Sequence, residues 1–127
     1  MNKIINFIDH LYESINIYQT LIIYNDMNYD MNYDINELKI LLDEKDYPVC
    51  IINDNISIKE NNFRVFIMNV DIFLNGYINT KKLDLSKVNI ILCLDEVSLN
   101  KTNSYLNNKE LEINLADELY IFSIDNI

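Results

Sequence analysis

Asp26, Asp54, Asp71 and Asp95 with Glu96 each follow a short apolar run in this chain of 127 residues. If those runs are parallel strands, the carboxylates gather beyond the carboxyl ends of the sheet, where α/β folds bind ligands. Carboxylates converging there hold Mg²⁺ for phosphodiester hydrolysis, as two-metal nucleases do. A small Mg²⁺-dependent nuclease with Asp26, Asp54, Asp71 and Asp95 as ligands is therefore one reading. Against it, no lysine or histidine accompanies the carboxylates at fixed spacing, and acidic residues at solvent-facing strand ends are ordinary in an acid-rich chain.

Other chemistries are excluded by what the chain lacks. Gly76 is the only glycine. Phosphate-cradling loops need several positions of close backbone approach or positive φ, so neither a Walker A loop nor a dinucleotide fingerprint fits. Arg64 is the only arginine, which leaves no guanidinium cluster to clamp a transferring phosphoryl group. His10 is the only histidine and falls on the polar face of the first helix, as a solvated side chain and not a triad or metal ligand. Cys50 and Cys93 lie in the apolar runs PVCII and ILCLD, where free cysteine behaves as a small buried hydrophobe of a reducing compartment.

The elements that must position these residues are legible from hydrophobic periodicity. Ile4, Ile5, Ile8, Leu11, Tyr12 and Ile15 recur at helical spacing opposite Lys3, Asn6, His10 and Glu13, which predicts an amphipathic helix over 3–16. Thr20–Tyr24 reads as a strand buried on both faces. A helix follows from about Ile35 to Glu44, with Asp34 as N-cap and Ile35, Leu38, Leu41 and Leu42 inward. Pro48 opens a strand at Val49–Ile52, where the first residue need not donate to a ladder. Val65–Met68 and Asn89–Leu94 are further strands, and Leu119–Ile124 is either a strand or a terminal helix. Strands alternating with helices predict an α/β domain over 1–127, a mostly parallel sheet with helices on both faces.

Half the residues are apolar, enough for a core, and a chain of this length has room for one domain. The Asn, Ile, Tyr and Lys enrichment reflects an AT-rich coding genome. A formal charge of −10 and a pI near 4.3 repel phosphate backbones, so direct nucleic-acid binding is expected to be weak or absent and the partner to be a protein. Lys3, Asp9, His10 and Glu13 interrupt the first segment, so no signal peptide is expected. No apolar run approaches the roughly 20 residues of a membrane span. A cytoplasmic protein is expected, with the sequons at Asn55 and Asn100 as chance matches.

Taken in order, the segments resemble the C-terminal RecA-like lobe of a DEAD-box RNA helicase, nearest the translation initiation factor 4A group. HLYESINIYQ followed by TLIIYND is similar to the entry into that lobe and its motif IV strand, with Asn25 on the motif's Asn. ELKILLDEKDYPVCIINDN is similar to the next helix, turn and strand, with Asp54 on the Asp of a His-Gly-Asp-like turn. VFIMNVDIFLNG resembles motif V, with Asp71 and Gly76 on its Asp and Gly. LDLSKVNIILCLDEV resembles the rest of motif V, with Asp84 where active members have the acidic residue that touches the nucleotide ribose. NSYLNNKELEINLADE resembles the stretch around motif VI. The match covers nearly the whole chain.

The departures set the functional expectation. The arginine-rich core of motif VI, which in the family senses and stabilises ATP, is absent between Tyr105 and Lys109. Motif V's Thr and Arg are replaced by Val70 and Asn75, YINTKK separates Gly76 from Asp84, and NISIKENNF shortens the helix expected before the third strand. Neither the Walker A nor the DEAD-box motif of a first lobe occurs in these residues. The tandem MNYD of residues 27–34 is read as a loop expansion, which costs only about 0.6 kcal/mol per doubling of loop length. Tyr29 and Tyr33 within it are candidate interface anchors. The resemblance implies a non-enzymatic, cofactor-free, protein-binding module of a translation or RNA-processing assembly, docking in that group on a HEAT-repeat scaffold. A lobe supplied in trans to a separate first lobe is the remaining alternative beside the nuclease.

Overall fold

A computed structural model of the protein describes residues 2–14, 19–25, 35–52, 63–75, 85–108 and 115–124. The chain runs α1 (Asn2–Ser14), β1 (Gln19–Tyr24), α2 (Ile35–Glu44), β2 (Val49–Ile52), β3 (Val65–Asn69), α3 (Val70–Leu74), a 3₁₀ turn (Leu85–Lys87), β4 (Val88–Cys93), α4 (Glu96–Leu106) and β5 (Tyr120–Ser123). The five strands form one sheet in the order β2-β3-β1-β4-β5, and every pairing is parallel. The α/β sheet expected from the sequence is therefore present, and the segment left open between strand and helix is the edge strand β5.

Alternation along the strands divides the core in two. Leu21, Ile23, Phe66, Met68, Ile91 and Cys93 face α3 and α4, where Phe73, Leu99 and Tyr105 pack on them. Ile22, Ile67 and Leu92 face the other way, against Ile4, Ile5 and Ile8 of α1 and Leu38 and Leu42 of α2. Ile22 pairs in register with both Ile67 and Leu92, so the middle of β1 is the centre of the molecule. This is why β1, β3 and β4 read as continuous apolar runs and not as alternating ones.

Two helices depart from the sequence reading. α3 has five residues, less than the window in which a 3.6-residue period can be recognised. α4 is longer, but its fully buried residues are Ser98 and Thr102, its core-facing Leu99, Tyr105 and Leu106 are only partly buried and Val97 is 43% exposed, so no clean apolar stripe marks it. Asp95 and Glu96 at its start were the available signal, an N-cap followed by an acidic first turn. Asp34 as the cap of α2 lies outside the described residues.

An aromatic and charged cluster closes the amino-terminal edge of the sheet. The Arg64 guanidinium lies 4.5 Å over the Tyr12 ring, which stacks on Tyr47 at 4.9 Å. The Tyr12 hydroxyl is 3.0 Å from Thr20 Oγ1, tying α1 to β1. The Arg64 N–H donates to the Pro48 carbonyl and its own carbonyl accepts from the Thr20 N–H, each at 2.9 Å, so the starts of β1, β2 and β3 are held together. The Tyr47 hydroxyl donates to Asp9 Oδ1 at 2.6 Å, and Lys45 pairs with Asp9 Oδ2 at 3.2 Å.

This cluster gives the fold a pH signature. Burial, reinforced by the hydrogen bond to Asp9, pushes the Tyr47 phenol up to about 12, whereas that same hydrogen bond holds Asp9 below the ordinary aspartate value. A raised pKa gives stability that is complete below the unfolded value of 10.0 and is lost as pH climbs through the folded value. Urea denaturation at a series of pH values should show that alkaline loss, and Tyr47→Phe should make it smaller. An unchanged alkaline limb in the Phe variant would mean that Tyr47 ionises freely.

Candidate functional site

In an open parallel sheet the ligand crevice lies at the carboxyl end, where neighbouring strands send their connections in opposite directions. Here the switch lies between β1 and β4. β1 leads to α2 on one face and back to edge strand β2, while β4 leads to α4 on the other face and on to edge strand β5. Asn25 ends β1 and Asp95 ends β4, both buried. The sequence pointed to both positions.

Asp95 is engaged by its own chain. Its Oδ1 accepts from the Ser98 N–H at 2.7 Å, capping α4, and its Oδ2 accepts from the Asn25 N–H at 3.0 Å. The Leu94 N–H donates to the Ile23 carbonyl beside it, at 2.9 Å. A carboxylate that an open crevice would offer to a ligand thus staples β1 to β4 and starts a helix. A hydrogen bond to a carboxylate is stronger than one between neutral groups.

The next strand end is built differently. Asn69 caps α3 by accepting from the Asp71 N–H at 2.7 Å, which turns the Asp71 carboxylate outward. Asp71 is exposed, and Lys101 of α4 approaches it at 3.8 Å. An ion pair this open to solvent contributes little stability. Beside it Leu74, Asn100, Lys101, Ser104 and Tyr105 line an open groove of about 460 Å³ between α3 and α4, mostly apolar. Asn69 and Lys101 were missed as site residues; the signal for Asn69 was an Asn directly ahead of a short apolar-acidic segment.

Of the residues singled out in the sequence, Asn25, Asp71 and Asp95 are placed, with Asp95 joined to Asn25 and Asp71 apart from that pair. Asp26, Asp54, Gly76, Asp84, Tyr29 and Tyr33 lie outside the described residues. Among the described residues no three His, Cys, Asp or Glu side chains come close enough to hold a metal ion. Cys50 and Cys93 are buried free thiols, as expected. Burial pushes Cys93 up to about 12 and raises Cys50 as well, which keeps both protonated and unreactive. His10 is exposed on α1, as expected. No helix among the described residues is long and apolar enough to cross a membrane.

No family model matches the chain, and no curated protein matches its sequence. Among solved structures, "Crystal structure of the C-terminal part of Fun30 ATPase domain" is similar, with a TM-score of 0.62 at 12% identity. The likeness covers 95% of this chain and 40% of that one, so the protein spans less than half of that structure. At such identity the likeness is one of fold, and the fold is that of a RecA-like lobe.

The double role of Asp95 has a measurable consequence. Asp95→Ala removes the cap and leaves the buried Asn25 N–H without its acceptor, at a combined cost of about 2–4 kcal/mol. Asp95→Asn keeps an acceptor for one of the two N–H groups and should lose less. Chemical denaturation of the two variants checks this order, and equal stability of wild type and Asp95→Ala would refute the staple.

Proposed function

We propose that this protein is a catalytically inactive RecA-like lobe, derived from the carboxyl-terminal half of a DEAD-box-type RNA helicase, that acts by binding other proteins. The observation that carries this reading is the position of its one arginine. Arg64 precedes β3 at the amino-terminal edge of the sheet, engaged with Tyr12, while the ligand crevice opens at the carboxyl edge. No guanidinium therefore reaches the end of the sheet where developing phosphate charge would need one.

The Asp95 staple at the switch point supports the same reading, because both of its carboxylate oxygens accept from N–H groups of the chain itself. It also counts against the nuclease alternative: Asp95 would have to exchange two N–H partners for a metal ion. A lobe of this kind keeps a rigid scaffold and its outer helical faces, and the formal charge of −10 disfavours RNA as the direct partner. The resemblance to the initiation factor 4A group favours a translation or RNA-processing assembly as its setting, and the cytoplasm as its location.

The deciding experiment is native purification with sizing, followed by assays for ATP hydrolysis and for Mg²⁺-dependent RNA cleavage. The expected result is a complex well above the 15.1 kDa of the chain, containing components of such an assembly, with neither activity residing in this subunit. A bare monomer whose Mg²⁺-dependent cleavage disappears in Asp71→Asn would replace this reading with the nuclease.

A further inference from the structure

The face of the sheet covered by α1 and α2 carries a second groove, away from the strand ends. Ile5, Asn6, Leu41, Glu44 and Lys45 line its roughly 370 Å³. Ile40, one turn before Glu44 on the outer side of α2, is 57% exposed, the most exposed large apolar side chain among the described residues. Residues three and four apart share a helix face, so Glu37, Ile40, Leu41 and Glu44 form one stripe along the groove.

The electrostatics of this stripe are one-sided. Lys45, the one amine among the lining residues, is paired with Asp9 at 3.2 Å and is already offset; Lys39, on the other side of α2, is paired with Asp43. Glu44 has no ion pair among the described residues. Across α1, α2 and the turn at 45–46 there are six carboxylates and three lysines, Lys3 included. A half-polar notch set in negative potential repels anionic lipid and nucleic acid and attracts a cationic protein surface.

We propose that the α1–α2 groove docks a basic amphipathic helix of a protein partner, with aliphatic side chains of that helix meeting Ile40 and Leu41 and its lysines or arginines facing Glu44. Helix-in-groove recognition uses this combination: apolar anchors at helical spacing in a notch between two helices, with charge setting register and rate of encounter. The inference rests on the protein-binding reading and assigns it a surface.

The test uses the full-length protein and a fluorescent Lys/Leu peptide of about 18 residues, five turns of helix. A peptide of the same composition, scrambled so that its leucines share no face, serves as control. Ile40→Lys and Glu44→Lys are the variants, both at exposed positions, with circular dichroism verifying that each is folded. The amphipathic peptide should bind at least about tenfold more tightly than the control and lose about tenfold in affinity in either variant. Equal binding of the two peptides, or binding that neither variant weakens, would reduce the interaction to diffuse charge attraction and overturn the site. Preferential binding of anionic vesicles or single-stranded RNA over the peptide would overturn it too. If the Ile40→Lys protein still purifies within its native complex, the groove is refuted while the protein-binding reading stands.

Discussion

An all-parallel sheet cannot leave a face open to water, and this obligation governs the molecule. Parallel neighbours require a crossover for every connection, and the crossovers place helices over the strands. In this chain the requirement is met by α1 and α2 on one side and by α3 and α4 on the other, with β1 between two fully buried neighbours. Ile22, Ile67 and Leu92 across the middle of the sheet show no exposed surface, so every helix position is set by what it must cover. With all dry surface concentrated there, the two ends of the sheet are left for polar work.

The two ends have been put to similar use. At the amino-terminal edge Arg64, Tyr12, Tyr47 and Asp9 tie α1 to the starts of three strands, through a stacked ring pair, a cation over a ring face and hydrogen bonds. At the carboxyl edge Asp95 joins β1 to β4 and begins α4. In a fold whose carboxyl edge commonly carries ligand chemistry, the polar groups described here are mostly satisfied by one another. At this edge the Asp95 carboxylate and the Asn69 side-chain oxygen are aimed at N–H groups of the chain itself, while Asp71 faces solvent beside Lys101. Under the proposed protein-binding role, the acidic, partly apolar face of α1 and α2 would be the surface that receives a cationic partner.

The sheet was legible because its strands announce themselves. The apolar runs at 20–24, 49–52, 65–68 and 89–94 became strands with ends shifted by at most a residue, and the periodic helix over 35–44 formed with those bounds. α4 was hidden because its inner face mixes buried Ser98 and Thr102 with partly buried Leu99, Tyr105 and Leu106, so no clean apolar stripe marks it. Asp95 could be named as a strand-end carboxylate, yet whether it faces a ligand or the Asn25 N–H depends on a neighbour seventy positions away. Arg64 was known to be alone, but the end of the sheet on which it lies follows from strand order.

By itself, then, the sequence determined the alternation of strands and helices and the burial of both thiols, because each depends on local composition and periodicity. Only the tertiary structure decided that Asp95 is a staple and not a free ligand, that Arg64 lies at the edge away from the crevice, and that Ile40 is left uncovered on the outer side of α2. These outcomes are set by contacts between residues distant in the chain, and pairing across such distances is fixed by how the whole sheet packs, which no local pattern records.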